Sequence, residues 1–131
     1  MSAQLSNVQL VTNLYEAYGR GDLDTIRSYL APDVVMTQPE QLPWGDRYLG
    51  PDGFFEFLGK LNGYVDAKLD VEDVFDAGDT VVEVGHTVGT VRANGAQFRA
   101  RESHLITLRD GQIVRFQVLV DVPAMLAAVN A

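Results

Sequence analysis

The stretch 98–121, FRARESHLITLRDGQIVRFQVLVD, constrains this chain more than any other. Asp110-Gly111 supplies the two positive φ angles of a type I′ turn, and runs rich in Leu, Ile, Val and Phe flank it, so the stretch predicts a β-hairpin. A two-residue turn sets the register. With Arg109 paired to Gln112, an unbroken ladder sets Leu108 against Ile113, Ile106 against Arg115, His104 against Gln117, Glu102 against Leu119 and Ala100 against Asp121. Alternation puts all of these on one face, where Glu102, His104 and Asp121 sit among apolar neighbours. The other face carries Leu105, Val114, Phe116, Val118 and Val120. Glu102 is the hub of the ionisable set. His104 and Asp121 each lie about 7 Å from it at the backbone, and about 13 Å from one another unless the ladder bulges.

The hairpin cannot stand alone, and the rest of the chain is long enough to cover it. The 131 residues, 47% of them hydrophobic, predict one domain over 1–131 with a real core. Eighteen acidic against ten basic residues give a net charge of −8, which argues against nucleic acid as a partner. The absence of cysteine removes thiolate chemistry and disulfides. No basic segment precedes a long apolar run at MSAQLSNVQLV and no run approaches a membrane span, so a soluble, cytoplasmic protein is expected.

Ser6 followed by Gln9 forms a capping box, and Val8, Val11, Leu14, Tyr15 and Tyr18 fall on one helical stripe that should end at Gly19. Asp22 is the expected N-cap of a short helix reaching about Leu30, before Ala31-Pro32. Val34 to Thr37 reads as a short strand. Residues 38–50, with Pro39, Pro43, Trp44 and Gly45, read as a long irregular segment suited to a mouth or lid. Pro51 opens a third helix with Phe54, Phe55, Phe57, Leu58 and Leu61 on a broad apolar face. From Ala67 the period becomes two. Strands are expected over 68–75 and 80–91, then across Asn94-Gly95 into the hairpin, with a terminal helical turn over 123–129.

Helices first and a mainly antiparallel sheet afterwards make an α+β layout. Three helices cover only one face of such a sheet. The face with Phe116 and its valines is therefore expected to pair with a second copy as a twofold homodimer.

The chain resembles the SnoaL-like and ketosteroid-isomerase-like proteins of the nuclear-transport-factor-2-like superfold. The likeness runs over nearly the whole length and rests on LYEAYGRGDLDTIRSYLAPDVV, LPWGDRYLGPDGFFEFL and HLITLRDGQIVRFQVLVD. It implies three N-terminal helices packed in the concave face of a strongly curved sheet, an apolar pocket inside the cone, and dimerisation through the outer face. Tyr15 falls where ketosteroid isomerases have their oxyanion-hole tyrosine. Their proton-shuttling aspartate falls near Gln38, and their second oxyanion donor falls at His104. Asp121 stands where SnoaL-like polyketide cyclases carry an acid/base aspartate.

Two functional classes follow. In the first, the protein is a cofactor-independent enzyme of isomerase, cyclase or hydratase type that moves a proton on a small apolar carbonyl compound. Asp121 or the Glu102-His104 pair would be the base and Tyr15 the polarising donor, since an apolar surround raises a carboxylate toward the range where it exchanges protons near neutrality. Trp44, Gln38, Gln117, Leu119 and Phe54 are the candidate substrate contacts. In the second, the same pocket binds a small hydrophobic ligand without chemistry, or the chain serves as a dimerisation module. Asp121 has an equally simple use as cap of the terminal helical turn, and His104 as a core histidine satisfied by Glu102 or Gln117. With two separated histidines and no His-Glu-x-x-His, no metal site is expected from spacing.

Overall fold

The computed structural model describes residues 5–131. The reading of residues 1–4 as part of an unexported N-terminus lies outside them. Helix α1, Asn7–Gly19, starts at the capping box: the Ser6 hydroxyl accepts from the Gln9 N–H, and the Gln9 side chain accepts from the Ser6 N–H. Asp22 caps α2, Leu23–Tyr29, by accepting from the Thr25 N–H. Strand β1, Leu30–Thr37, begins four residues earlier than expected and runs through Pro32. The irregular segment after it contains a short strand β2, Arg47–Leu49. Helix α3, Gly50–Tyr64, follows, with Pro51 in its first turn.

Strands β3, Val65–Ala77, β4, Thr80–Val91, β5, Gln97–Arg109, and β6, Gln112–Val120, complete one six-stranded sheet in the order β2-β1-β6-β5-β4-β3. All neighbours are antiparallel except β1 and β6, which run parallel. A fourth helix α4, Val122–Val129, replaces the expected terminal turn. The Asn94 side-chain amide donates to the carbonyl of Ala128 and so ties the end of α4 to the β4–β5 turn. This α+β arrangement places Leu10, Val11, Leu14, Ile26, Phe54 and Phe57 from the helices against the concave face of the sheet.

The hairpin turn forms as expected, with φ of 51° at Asp110 and 76° at Gly111. The ladder beyond it does not follow the unbroken register. Leu108 pairs with Ile113, but Thr107 pairs with Arg115, so Val114 is an extra residue on β6. One inserted residue reverses the facing of everything after it. His104 therefore pairs with Val118, Glu102 with Val120 and Ile106 with Phe116. Phe116, Val118 and Val120 turn inward, and Gln117 and Leu119 turn outward. The expected dimer face is corrected accordingly: Phe116 is 4% exposed and belongs to the core, while Leu119 is 47% exposed on the outer face.

Curvature on the β3–β4 side depends on glycine. A Cβ at Gly85 would sit 2.2 Å from the Asp70 carbonyl oxygen, and one at Gly89 would sit 2.1 Å from that of Asp66. Both strands therefore approach more closely than any side chain permits, and β3 bulges between Val71 and Asp73, opposite Gly85. Gly85→Ala should cost about 2 kcal/mol or more in urea unfolding, because the backbone has to separate. Unchanged stability would show that the strands are not pressed together there.

Candidate active site

Glu83, Glu102 and His104 converge where β4 and β5 cross the cone. Residues Val81, Glu83, Gly85 and Thr87 alternate inward along β4, and the register sets Glu83 directly opposite His104 and Gly85 opposite Glu102. The missing side chain at Gly85 leaves room for the Glu102 carboxyl, whose Oε1 would lie 3.0 Å from a Cβ there. Tyr15, delivered by the apolar stripe of α1, sets its hydroxyl 2.8 Å from His104 Nδ1 with the two rings stacked. Phe116 covers the imidazole, its centroid 4.9 Å away.

His104 Nε2 lies 3.2 Å from Glu102 Oε2, and Nδ1 lies 3.5 Å from Glu83 Oε1. Glu83 is wholly buried, Glu102 and His104 nearly so. None of the four carboxylate oxygens has a partner with hydrogen-bond geometry. Two buried charges in that state would cost several kcal/mol, and such groups take up protons instead.

Burial pushes His104 down to about 3, so it is neutral near pH 7. Burial also raises Glu83, up to about 9, with the nearby Glu102 carboxyl adding to the rise. Glu102 is raised by burial too, opposed by a hydrogen bond from Glu83 and by the charge of His86. Tyr15 is pushed up by burial and then by both glutamates, and so keeps its proton. In the tautomer that this arrangement favours, the Tyr15 hydroxyl donates to Nδ1 and the Nε2–H faces Glu102.

Ligand-type atoms of Glu83, Glu102 and His104 lie within 4.8 Å of one another, which by distance alone suits one cation. The imidazole offers it no lone pair while Tyr15 occupies Nδ1 and Nε2 carries the proton. The cluster is accordingly read as a proton site.

The cluster ends a cavity of about 110 Å³ that Tyr15, Glu102 and His104 line but Glu83 does not. Trp44, Phe54 and Gln38 line it as well. Trp44 is buried, with its carbonyl accepting from the Tyr48 hydroxyl. Phe54 meets Phe116 edge-on, and the Gln38 amide donates only to the Met36 sulfur, at 3.4 Å. Three expected site residues lie elsewhere. Asp121 is exposed and caps α4, its carboxylate accepting from the Ala124 N–H. Gln117 and Leu119 face outward because of the Val114 bulge. Glu83 was not anticipated. Its signal was an acid within TVVEVGHTV, a strand apolar enough on both faces to hide which side it presents.

A cone of curved sheet holding helices over an apolar cavity is the nuclear-transport-factor-2-like fold, shared with the solved NTF2-like proteins that superpose on this chain. The chain belongs to the SnoaL-like domain family, whose model matches residues 11–116. The uncharacterised protein Rv0034 of Mycobacterium tuberculosis is 29% identical over 121 residues, covering 91% of this chain and 92% of that one. An NTF2-like protein of unknown function from Burkholderia pseudomallei superposes with a TM-score of 0.89 at 27% identity, over 97% of this chain and 100% of the other. IdmH of Streptomyces antibioticus, provisionally assigned as a polyketide cyclase, superposes at 0.76 with 27% identity, over 93% and 96%. TerC, solved with polyporic acid, superposes at 0.86 with 25% identity, over 95% and 98%. Among the described residues no helix is long and apolar enough to cross a membrane.

The two opposed shifts fix a pH profile. His104, lowered from 6.5 to about 3, contributes stability that is present above pH 6.5 and lost as the pH falls toward 3. Glu83, raised from 4.5 to about 9, contributes stability that is present below pH 4.5 and lost as the pH rises toward 9. Between 4.5 and 6.5 these two slopes oppose each other, and outside that window each acts without the other, so unfolding free energy should fall on both sides of it. Glu83→Gln should gain on the wild type as the pH rises from 5 to 8, by up to about 1.4 kcal/mol per pH unit. Parallel wild-type and variant curves from urea titrations would contradict these assignments.

Proposed function

We propose that the protein is a cofactor-independent proton-transfer enzyme of the isomerase, cyclase or hydratase kind, acting on a small apolar carbonyl compound in the cone. One observation carries this: a carboxylate with unpartnered oxygens, backed by an imidazole and a second carboxyl group, closes an otherwise apolar cavity. Family membership and the provisional assignment of IdmH as a cyclase support it.

In this reading Glu102 is the base. It takes a proton from the carbon beside the substrate carbonyl, the C–H electron pair forms a new C=C bond, and the carbonyl oxygen becomes an enolate. The Gln38 amide supplies an N–H toward that oxygen, its present acceptor being only a thioether. Glu102 then returns the same proton to another carbon, so the proton count closes. His104 stands beside Glu102 with Nε2 3.2 Å from Oε2, and Tyr15 fixes the imidazole tautomer. Asp121 is committed to α4 and has no part. The cavity is smaller than the roughly 150 Å³ that accommodates benzene in an engineered protein core, which favours a single ring or a short chain at the reacting end.

The competing reading, sequestration of a hydrophobic ligand, draws on the Tyr15 hydroxyl being used by His104 rather than left free for a carbonyl. Exchange of the α-protons of cyclopentanone in deuterium oxide separates the two. The enzyme reading expects the protein to accelerate exchange and Glu102→Gln to reduce it by about 100-fold or more. Cyclopentanone binding without any acceleration would favour sequestration.

The chain is also proposed to pair about a twofold axis through the outer sheet face, where Leu119 and Phe75 are exposed and Leu105 is half-buried. Light scattering should report a dimer for the wild type and a folded monomer for Leu119→Asp, since Leu119 makes no core contact. A dimer that survives this substitution would place the interface elsewhere.

A further inference from the structure

The mechanism above leaves Glu83 without a task. It is wholly buried, does not reach the cavity, and faces His104 across the β4–β5 ladder with both oxygens unpartnered. A glutamate in that place is costly as structure alone. A leucine or glutamine would fill the space without a charge to hold.

We infer that Glu83 is a positioning residue for the base: Glu83 and Glu102 hold one proton between them, with Glu83 keeping it and turning it toward Glu102. Glu102 is thereby held as a carboxylate facing the cavity, steadied by the Glu83 O–H on one side and the His104 Nε2–H on the other. As the side chains stand neither pair has hydrogen-bond geometry, and both are close enough to reach it by a small side-chain rotation. Ligand-type atoms of the three residues lie within 4.8 Å of one another, and Nε2 is 3.2 Å from Glu102 Oε2. The opposite influences of the pair agree with this division, since the contact with Glu83 lowers Glu102 while the contact with Glu102 raises Glu83. Other titratable groups bear on the pair from every side. Tyr15 approaches from α1, His104 lies on β5, and the Glu72–His86 pair acts through the sheet from β3 and β4.

The inference rests on Glu102 being the base, but its test does not need turnover. In protein carrying carbon-13 at glutamate carboxyls, the pair should lose its protons in two separated steps, one below and one above neutrality. Glu83→Gln still donates a hydrogen bond through its amide, so Glu102 should keep its lower step while the upper step vanishes. Glu83→Leu donates nothing, and the Glu102 midpoint should rise by about one pH unit or more. The alkaline shift should reappear in the pH profile of cyclopentanone exchange for Glu83→Leu and be rescued in Glu83→Gln. A remaining Glu102 step in Glu83→Gln that falls at the upper wild-type midpoint, or an unmoved Glu102 midpoint in Glu83→Leu, would overturn the inference. Should Glu83→Leu fail to fold, the position of the one remaining step in Glu83→Gln decides alone: at the lower wild-type midpoint the inference stands, at the upper one it falls. Titrations as expected with no exchange in any variant would leave the shared proton standing and remove the enzymatic reading.

Discussion

A single extra residue in the last strand governs what this cone contains. Val114 bulges out of the β5–β6 ladder, and every side chain after it changes face. Without the bulge, Gln117 and Leu119 would line the cavity opposite His104 and Glu102, and Phe116 would face outward. With it, Phe116, Val118 and Val120 close around the imidazole and the carboxyl groups. The apolar surround that shifts the titration of these groups is therefore a product of the bulge. So is the exposure of Leu119.

The same ladder concentrates charge where charge is expensive. Burying Glu83, Glu102 and His104 together would be prohibitive were all three ionised, and the arrangement avoids it by leaving His104 neutral and a proton on the glutamates. Tyr15 completes the set by engaging Nδ1, which leaves Nε2–H directed at Glu102. Glycine at position 85 makes the room that Glu102 needs. Site and curvature thus share one cause, the close approach of β3 to β4 at a residue without a side chain.

Local signals in the sequence were legible where they depend on neighbours in the chain. The Ser6 capping box, the Asp22 cap, Pro51 opening α3 and the Asp110-Gly111 turn all appear as their chemistry requires. The simple use of Asp121 as a helix cap was equally visible, and the structure places it there. What could not be read was tertiary. Nothing in RDGQIVRF marks Val114 as the unpaired residue, because the bulge is set by what the sheet must wrap. Glu83 was hidden because β4 carries apolar residues on both faces, so alternation alone does not say which face is inside. Tyr15, Glu102 and His104 needed only correct facing on α1 and β5, and the structure brings them together.

His104 sits neutral between a tyrosine and a carboxylate, with the site's proton on the glutamates. Nitrogen-15 shifts of the His104 ring test this most directly. The expected signal is that of a neutral imidazole at pH 6, protonated at Nε2 and accepting at Nδ1, unchanged up to pH 8. An imidazolium signal at pH 6, or a ring that titrates near the ordinary histidine value, would contradict it.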